Sequence, residues 1–194
     1  MLDRVPAPLR GWLYGGGTRR DRLRDPDAVI GVLDLRPGMV VGDLGPGAGH
    51  FTIRLARAVE PDGVVYALDA SQGNLDDLVE AADKRALHSL RPVRVARDRL
   101  DIPEPVDLLF VSATYHHLPN PARYFAEART QLRPGARVAI LESRRTGLLA
   151  HWHGRHATSP ERILREMTRA GYRLSHTHDD VVRGHWFGTF VVGP

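Results

Sequence analysis

The stretch Met39–Phe51, MVVGDLGPGAGHF, limits what this chain can fold into more than any other. A short apolar run reaches an acid, Asp43, and then three glycines at alternating positions, Gly45, Gly47 and Gly49. An apolar run of this length bounded by glycine reads as a buried strand. The chain must reverse sharply after it, and glycine permits the dihedrals of such a turn and lets backbone approach a ligand closely. The spacing is GxGxG, because His50 stands where a dinucleotide turn, GxGxxG, has its third glycine.

The length of 194 residues suits one domain with a substantial core. Hydrophobic residues make up 42% and charged residues 26%, the balance of a soluble globular protein. No stretch approaches the roughly 18 consecutive apolar residues of a spanning helix. The opening residues, MLDRVPAPLRGW, lack the apolar core of a secretory signal, so a cytoplasmic location is expected. The absence of cysteine excludes disulfides, thiolate nucleophiles and Cys-ligated zinc. A net charge of +4 and a pI near 9.9 raise the question of phosphate-bearing partners. The basic residues are nearly all arginine, with Lys84 the single lysine, and they are interspersed among 23 acids. That pattern describes a solvated surface, and nucleic acid is not the expected partner.

Apolar runs alternate with amphipathic segments, the pattern of an α/β fold with a mainly parallel sheet. Strands are expected at Met39–Leu44, Val64–Asp69, Pro92–Ala96, Val106–Ser112, Arg137–Glu142, Tyr172–Thr177 and Trp186–Val192. Asn120 and Pro121 offer a cap and a first-turn proline, with Pro121, Phe125, Ala128 and Leu132 on one helical face. Thr158 and Glu161 are spaced as a capping box for a final helix carrying Ile163, Met167 and Ala170 on one stripe, with Gly171 as its stop. The phrases Arg36–Val41 and Arg133–Val138 each place a Pro-Gly turn before a strand.

Asp43, one variable residue and GxGxG resemble the first motif of the class I S-adenosylmethionine-dependent methyltransferases, matched at Asp43, Gly45, Gly47 and Gly49. The closing part, TSPERILREMTRAGYRL, resembles the small bacterial ubiquinone-biosynthesis-like members. The resemblance spans about residues 26 to 192. It implies a methyltransferase domain over 26–194, preceded by an N-terminal segment, 1–25, that is either a lid or a frayed terminus. It also implies a Rossmann-like fold: a seven-stranded, mainly parallel sheet with the last strand antiparallel and helices on both faces. The implied cofactor is S-adenosylmethionine. Its methionine end carries an ammonium and a sulfonium rather than a phosphate, so an acid beside the glycine turn is chemically appropriate.

Asp69 ends the second strand, where a carboxylate can accept hydrogen bonds from both ribose hydroxyls. NAD enzymes share that feature, so Asp69 points to an adenosyl ligand without naming it. In the family an acid after the third strand meets the adenine amino group, which implies that role for Asp98, with Arg99 against the ring edge. Ala70 and Ser112 complete the expected cofactor-binding set. The fourth strand and its exit read VDLLFVSATYHHLPN, and in the family this segment passes beneath the transferring methyl group. Tyr115, His116 and His117 are the candidates for acceptor positioning and base catalysis, histidine being suited to removing a proton near neutral pH. Ser112, Ala113, Thr114 and Tyr115 replace the Asn/Asp-Pro-Pro-aromatic motif of enzymes that methylate exocyclic amino groups of nucleic-acid bases.

Glu142 closes the fifth strand, and the following connection holds His151, Trp152, His153 and His156. His176 and His178 share one face of a strand, but the histidine spacing matches no known ligand pattern and no metal is expected. The expected activity is methyl transfer to a small-molecule acceptor. An RNA or protein acceptor, a non-catalytic S-adenosylmethionine-binding module and, more distantly, an NAD oxidoreductase are the alternatives.

Overall fold

The computed structural model describes residues 25–144 and 158–193. The segment 1–25, expected to be a lid or a frayed terminus, lies outside the described residues except for Asp25, and so does the loop bearing His151, Trp152, His153 and His156. Helix α1 (Pro26–Gly31) precedes β1 (Val40–Leu44), α2 (Thr52–Val59), β2 (Val64–Asp69), α3 (Gln72–Asp83) and β3 (Leu90–Arg94). Then come β4 (Val106–Ser112), α4 (Pro121–Ala128), β5 (Leu132–Ser143), α5 (Pro160–Arg169), β6 (Tyr172–Thr177) and β7 (His185–Val192).

The strands form one sheet in the order β3-β2-β1-β4-β5-β7-β6. Strands β1 to β5 pair in parallel, while β7 inserts antiparallel between β5 and β6. This is the seven-stranded, Rossmann-like arrangement with an antiparallel last strand that the sequence led us to expect. The order reverses on either side of β1, with β2 to one side and β4 to the other. Connections therefore leave the sheet in opposite directions there and open a crevice at the carboxyl ends of the strands.

Every residue of β1 is buried, as befits a central parallel strand covered on both faces. Alternate strand residues feed two cores. One face carries Leu109, Val111, Val138 and Ile140 against Tyr124 and Phe125 of α4 and Ile163 and Met167 of α5. The other carries Leu108, Phe110, Ala139 and Leu141 with Leu55 and Val59 of α2 and Leu75 and Leu78 of α3. Side-chain caps start the helices as expected: Ser71 accepts from Asn74 N and Asn120 from Arg123 N.

Four local expectations shift. Strand β3 begins at Leu90, because Val65 pairs with Leu90 and its amide donates to Ser89 O. Pro92 thus lies within the strand, on the sheet edge where its missing N–H breaks no ladder. The cap of α5 is Ser159, which accepts from Arg162 N, rather than Thr158. Pro160 occupies the first turn and sets Ser159 as the half-helical residue before it. Leu132 starts β5 instead of continuing the face of α4. The Pro-Gly turn at Arg133–Val138 lies inside β5 as an irregularity: between the pairs Val106–Leu132 and Leu108–Arg137, the chain advances further on β5 than on β4.

Phe125 is fully buried, stacks on Tyr115 and meets Tyr124 and Tyr172 edge-on. Phe125→Ala is expected to cost about 3–5 kcal/mol, read as a lower urea midpoint at unchanged slope.

Candidate active site

The turn after β1 depends on its glycines for two different reasons. All three have positive φ, at 72°, 55° and 79° for Gly45, Gly47 and Gly49. A Cβ on Gly45 would lie 2.1 Å from Thr114 Oγ1, and one on Gly49 would lie 2.3 Å from Leu78 Cδ1. These two glycines let the turn press onto the exit of β4 and onto α3. Gly47 has no atom within 4 Å of such a Cβ, so its backbone faces open space. Gly45 N donates to Leu68 O at 2.8 Å, which ties the turn to β2.

Asp43 is only 2% exposed. Its Oδ2 accepts from the Thr52 hydroxyl at 2.6 Å, fastening the end of β1 to the first turn of α2. The carboxyl therefore supports the turn from behind. Burial pushes its pKa up to about 7, the neighbouring charge of Asp69 adds to that rise, and the Thr52 hydrogen bond opposes it. At the tip of β2, Asp69 Oδ1 accepts from Ser71 N at 2.8 Å and Oδ2 from Asn74 Nδ2 at 3.1 Å. Each oxygen keeps a second acceptor position. Ala70 beside it is half-buried.

Beyond β3, Asp98 and Arg99 are both exposed. Arg99 pairs with Asp101 at 3.5 Å, and the charge of Asp98 acts on Arg123 of α4. The structure thus brings Asp43, Asp69 and the glycine turn together through direct contacts and electrostatics, while Asp98 and Arg99 form ion interactions of their own.

The exit of β4 is tightly specified. Ser112 Oγ is buried and has no hydrogen-bond partner among the described residues. Ala113 adopts φ 51°, a left-handed conformation that costs energy for a residue with a Cβ, and its amide donates to Leu141 O at 2.9 Å. The Thr114 hydroxyl lies 3.1 Å from Ser112 O and 3.3 Å from Gly45 O, so it can donate to either carbonyl. A short 3-10 turn, Tyr115–His117, follows. Tyr115 is wholly buried and its hydroxyl donates to Glu166 on α5 at 2.9 Å. Burial and the Glu166 carboxylate hold that phenol well above its ordinary pKa. Its contacts are those of an anchor for the turn.

The His116 ring is nearly buried, and its Nδ1 lies 3.0 and 3.1 Å from the two oxygens of Glu142, whose side chain is fully buried. The His117 ring lies 4.1 Å from that of His116, and the residue is exposed. Sequence reasoning noted Glu142 without giving it a partner. The available signal was an acid closing the apolar run Val138–Leu141, where a carboxylate is costly unless paired. Thr52, Asn74 and Thr114 were missed as well, since hydroxyl and amide side chains at element ends carry no motif.

His176 and His178 do approach each other, with ring centroids 4.7 Å apart, and His178 Nε2 lies 3.1 Å from Thr189 Oγ1. Burial and the His176 charge hold His178 below its usual pKa. Among the described residues no group of three or more potential ligands could hold a metal ion.

These features fit the implied cofactor: an open backbone face at Gly47, an acid with acceptor capacity at Asp69 where β2 ends, and a buried hydroxyl at Ser112 where β4 ends. A methyltransferase-domain family model matches residues 35–174, and the chain belongs to that family of class I S-adenosylmethionine-dependent methyltransferases. A structure of a SAM-dependent methyltransferase from Aquifex aeolicus superposes with a TM-score of 0.80 at 25% identity, covering 96% of this chain and 98% of that one. The 27-O-demethylrifamycin SV methyltransferase of Amycolatopsis mediterranei is 32% identical over 120 residues, 59% of this chain and 42% of the relative. The protein-L-isoaspartate O-methyltransferase of Methanothrix thermoacetophila is 32% identical over 148 residues, 70% of this chain and 66% of the relative. The chain thus spans less than two thirds of the length of these curated relatives.

Asp43 gives the site a pH signature. Its folded pKa lies above its unfolded value, so its contribution to stability is complete below about pH 4 and lost as pH rises through about 7. Relative to Asp43→Asn, the native protein is expected to lose roughly 2–3 kcal/mol between pH 5 and pH 8, read by urea denaturation at each pH. Equal slopes in the two proteins would remove Asp43 as the titrating group.

Proposed function

We propose that the protein transfers the methyl group of S-adenosylmethionine to a small-molecule acceptor. The observation that carries this reading is the open face at Gly47, in the turn that follows β1 between two parallel neighbours, β2 ending at Asp69 and β4 ending at Ser112. In this reading the adenosyl group takes hydrogen bonds from its ribose to Asp69, with Ala70 alongside and Asp98 and Arg99 toward the base. The methionyl end lies along Gly45–Gly49. The acceptor lies against the 3-10 turn at Tyr115–His117, where holding nucleophile, methyl carbon and sulfur in line supplies much of the acceleration.

The small-molecule acceptor is supported by the rifamycin-directed relative and by the missing base-methylation motif. The isoaspartyl relative keeps a protein acceptor as the second reading. Residues 26–194 are read as the methyltransferase domain. Among the described residues no helix is long and apolar enough to cross a membrane. A cytoplasmic setting is part of the proposal.

Calorimetric titration with S-adenosylhomocysteine beside NAD tests the cofactor half. Binding of the first alone is expected, and binding of neither by folded protein would leave the glycine turn purely structural. Asp69→Ala is expected to weaken that binding by roughly 1.5–3 kcal/mol. Gly47→Val, which puts a β-branched residue at positive φ on the open face, is expected to abolish it while the chain stays folded.

A further inference from the structure

We propose that a cleft at the amino ends of β1, β4 and β5 is a second binding site, which holds the phosphate or carboxylate group of a small ligand between Arg137 and Arg36. It lies at the opposite ends of the strands from the candidate active site and does not rest on the function proposed above.

The starting point is the repeated phrase Arg-Pro-Gly, at 36–38 and 133–135, which methyl transfer leaves unexplained. The topology brings the two copies together. Both line one cleft of about 510 Å³, with Asp107 at the start of β4 between them. That volume lies within the ~300–1,000 Å³ of small-molecule sites. Each glycine has positive φ, 85° at Gly38 and 81° at Gly135, and at neither does any atom lie within 4 Å of where a Cβ would stand. The cleft is thus walled by bare backbone at both turns. A Pro-Gly turn needs its proline and its glycine, but not the arginine before them.

Three arginines and two aspartates line the cleft, and their partners sort them. Arg133 is committed to the fold. Its Nη1 donates to Asp107 at 2.9 Å and its Nη2 to Glu104 at 3.0 Å, while the same Asp107 oxygen accepts from Val40 N at 2.8 Å. Arg137 is half-buried, and its Nη2 donates to the main-chain carbonyls of Leu33 at 2.7 Å and Asp34 at 3.4 Å. These neutral acceptors orient the guanidinium but leave its charge unbalanced. Arg36 pairs with the Asp34 carboxylate at 2.9 Å, yet the two side chains are 71% and 62% exposed. Such a pair is worth ~1 kcal/mol or less and yields to a better-placed anion. Asp34 joins the two cations, its carboxylate holding Arg36 and its carbonyl holding Arg137, so both guanidiniums lie around one residue.

The chemistry then selects the ligand. A guanidinium fork matches the oxygens of a phosphate or carboxylate, and Arg137 is the cation already oriented and partly desolvated for that contact. The excess of arginine disfavours a cation, and a wholly apolar ligand would strip water from charged groups without replacing it. The anionic group of the ligand takes the place of the Asp34 carboxylate on Arg36, and the rest of it lies along Gly38 and Gly135.

The test titrates the full chain calorimetrically with pyrophosphate and, separately, with citrate, at an ionic strength held constant with sodium chloride. One saturable site is expected for at least one of them, and the tighter of the two tells a phosphate ligand from a carboxylate one. Binding is expected to weaken by about 10-fold or more in Arg137→Gln, which loses a charge-assisted contact, and by a smaller factor in Arg36→Gln. Arg165→Gln, which removes the same charge from an exposed position on α5, is expected to leave it unchanged. Urea midpoints show whether each variant is folded, and Arg36→Gln keeps the test decisive if loss of the Leu33 contact unfolds Arg137→Gln. S-adenosylhomocysteine binding is expected to be the same with and without the anion. The site would be overturned by no saturable binding of either anion, by undiminished binding in the two cleft variants, by equal weakening in Arg165→Gln, or by competition with S-adenosylhomocysteine.

Discussion

The site depends on one close contact, that of the turn after β1 with the exit of β4. Gly45 has no side chain, and Thr114 fills the space a Cβ would need while its hydroxyl lies within reach of the Gly45 carbonyl. Parallel pairing of β1 and β4 sets the distance between the strand ends, and this contact sets how the two loops lie against each other. A larger residue at position 45 would push the turn from the 3-10 segment that carries His116. The spacing between the glycine turn and the 3-10 segment is thus a matter of backbone packing.

Two kinds of acid stand at the strand ends, and their surroundings separate their roles. Asp43 is buried behind the turn with a hydroxyl as its partner, so its ionised form is disfavoured. Asp69 is held by an amide N–H and a side-chain amide, both donors that suit a carboxylate. Sequence spacing describes these residues alike, as acids near glycine. Only packing distinguishes the support from the proposed ligand.

The fold was legible because its signals are long and repeated: apolar runs, caps and a glycine turn each occupy several residues and agree with one another. The errors fell where a single proline or glycine decides. Pro92 sits inside β3 because the edge tolerates it, and Pro160 moves the α5 cap to Ser159. At the candidate site, the histidines were visible from the phrase YHHL, but the distinction between them was not. That distinction rests on the strand register that brings Glu142 from 26 positions away to His116. Tyr115, grouped with the histidines by sequence, turns inward because its ring stacks on Phe125. No local pattern encodes either outcome.

The placement of β7 bears on how this architecture is assembled. Strand β6 reaches the sheet only through β7, which lies between it and β5. On a ribosome, β1 to β5 can pair as they emerge, but the edge of β5 stays open until residues 185–192 arrive to close it. Trp186 of that late strand is the register partner of Glu142. The nascent chain therefore holds Glu142 on an uncovered strand edge until residues 185–192 have been added, when water can still solvate it, and β7 then covers it.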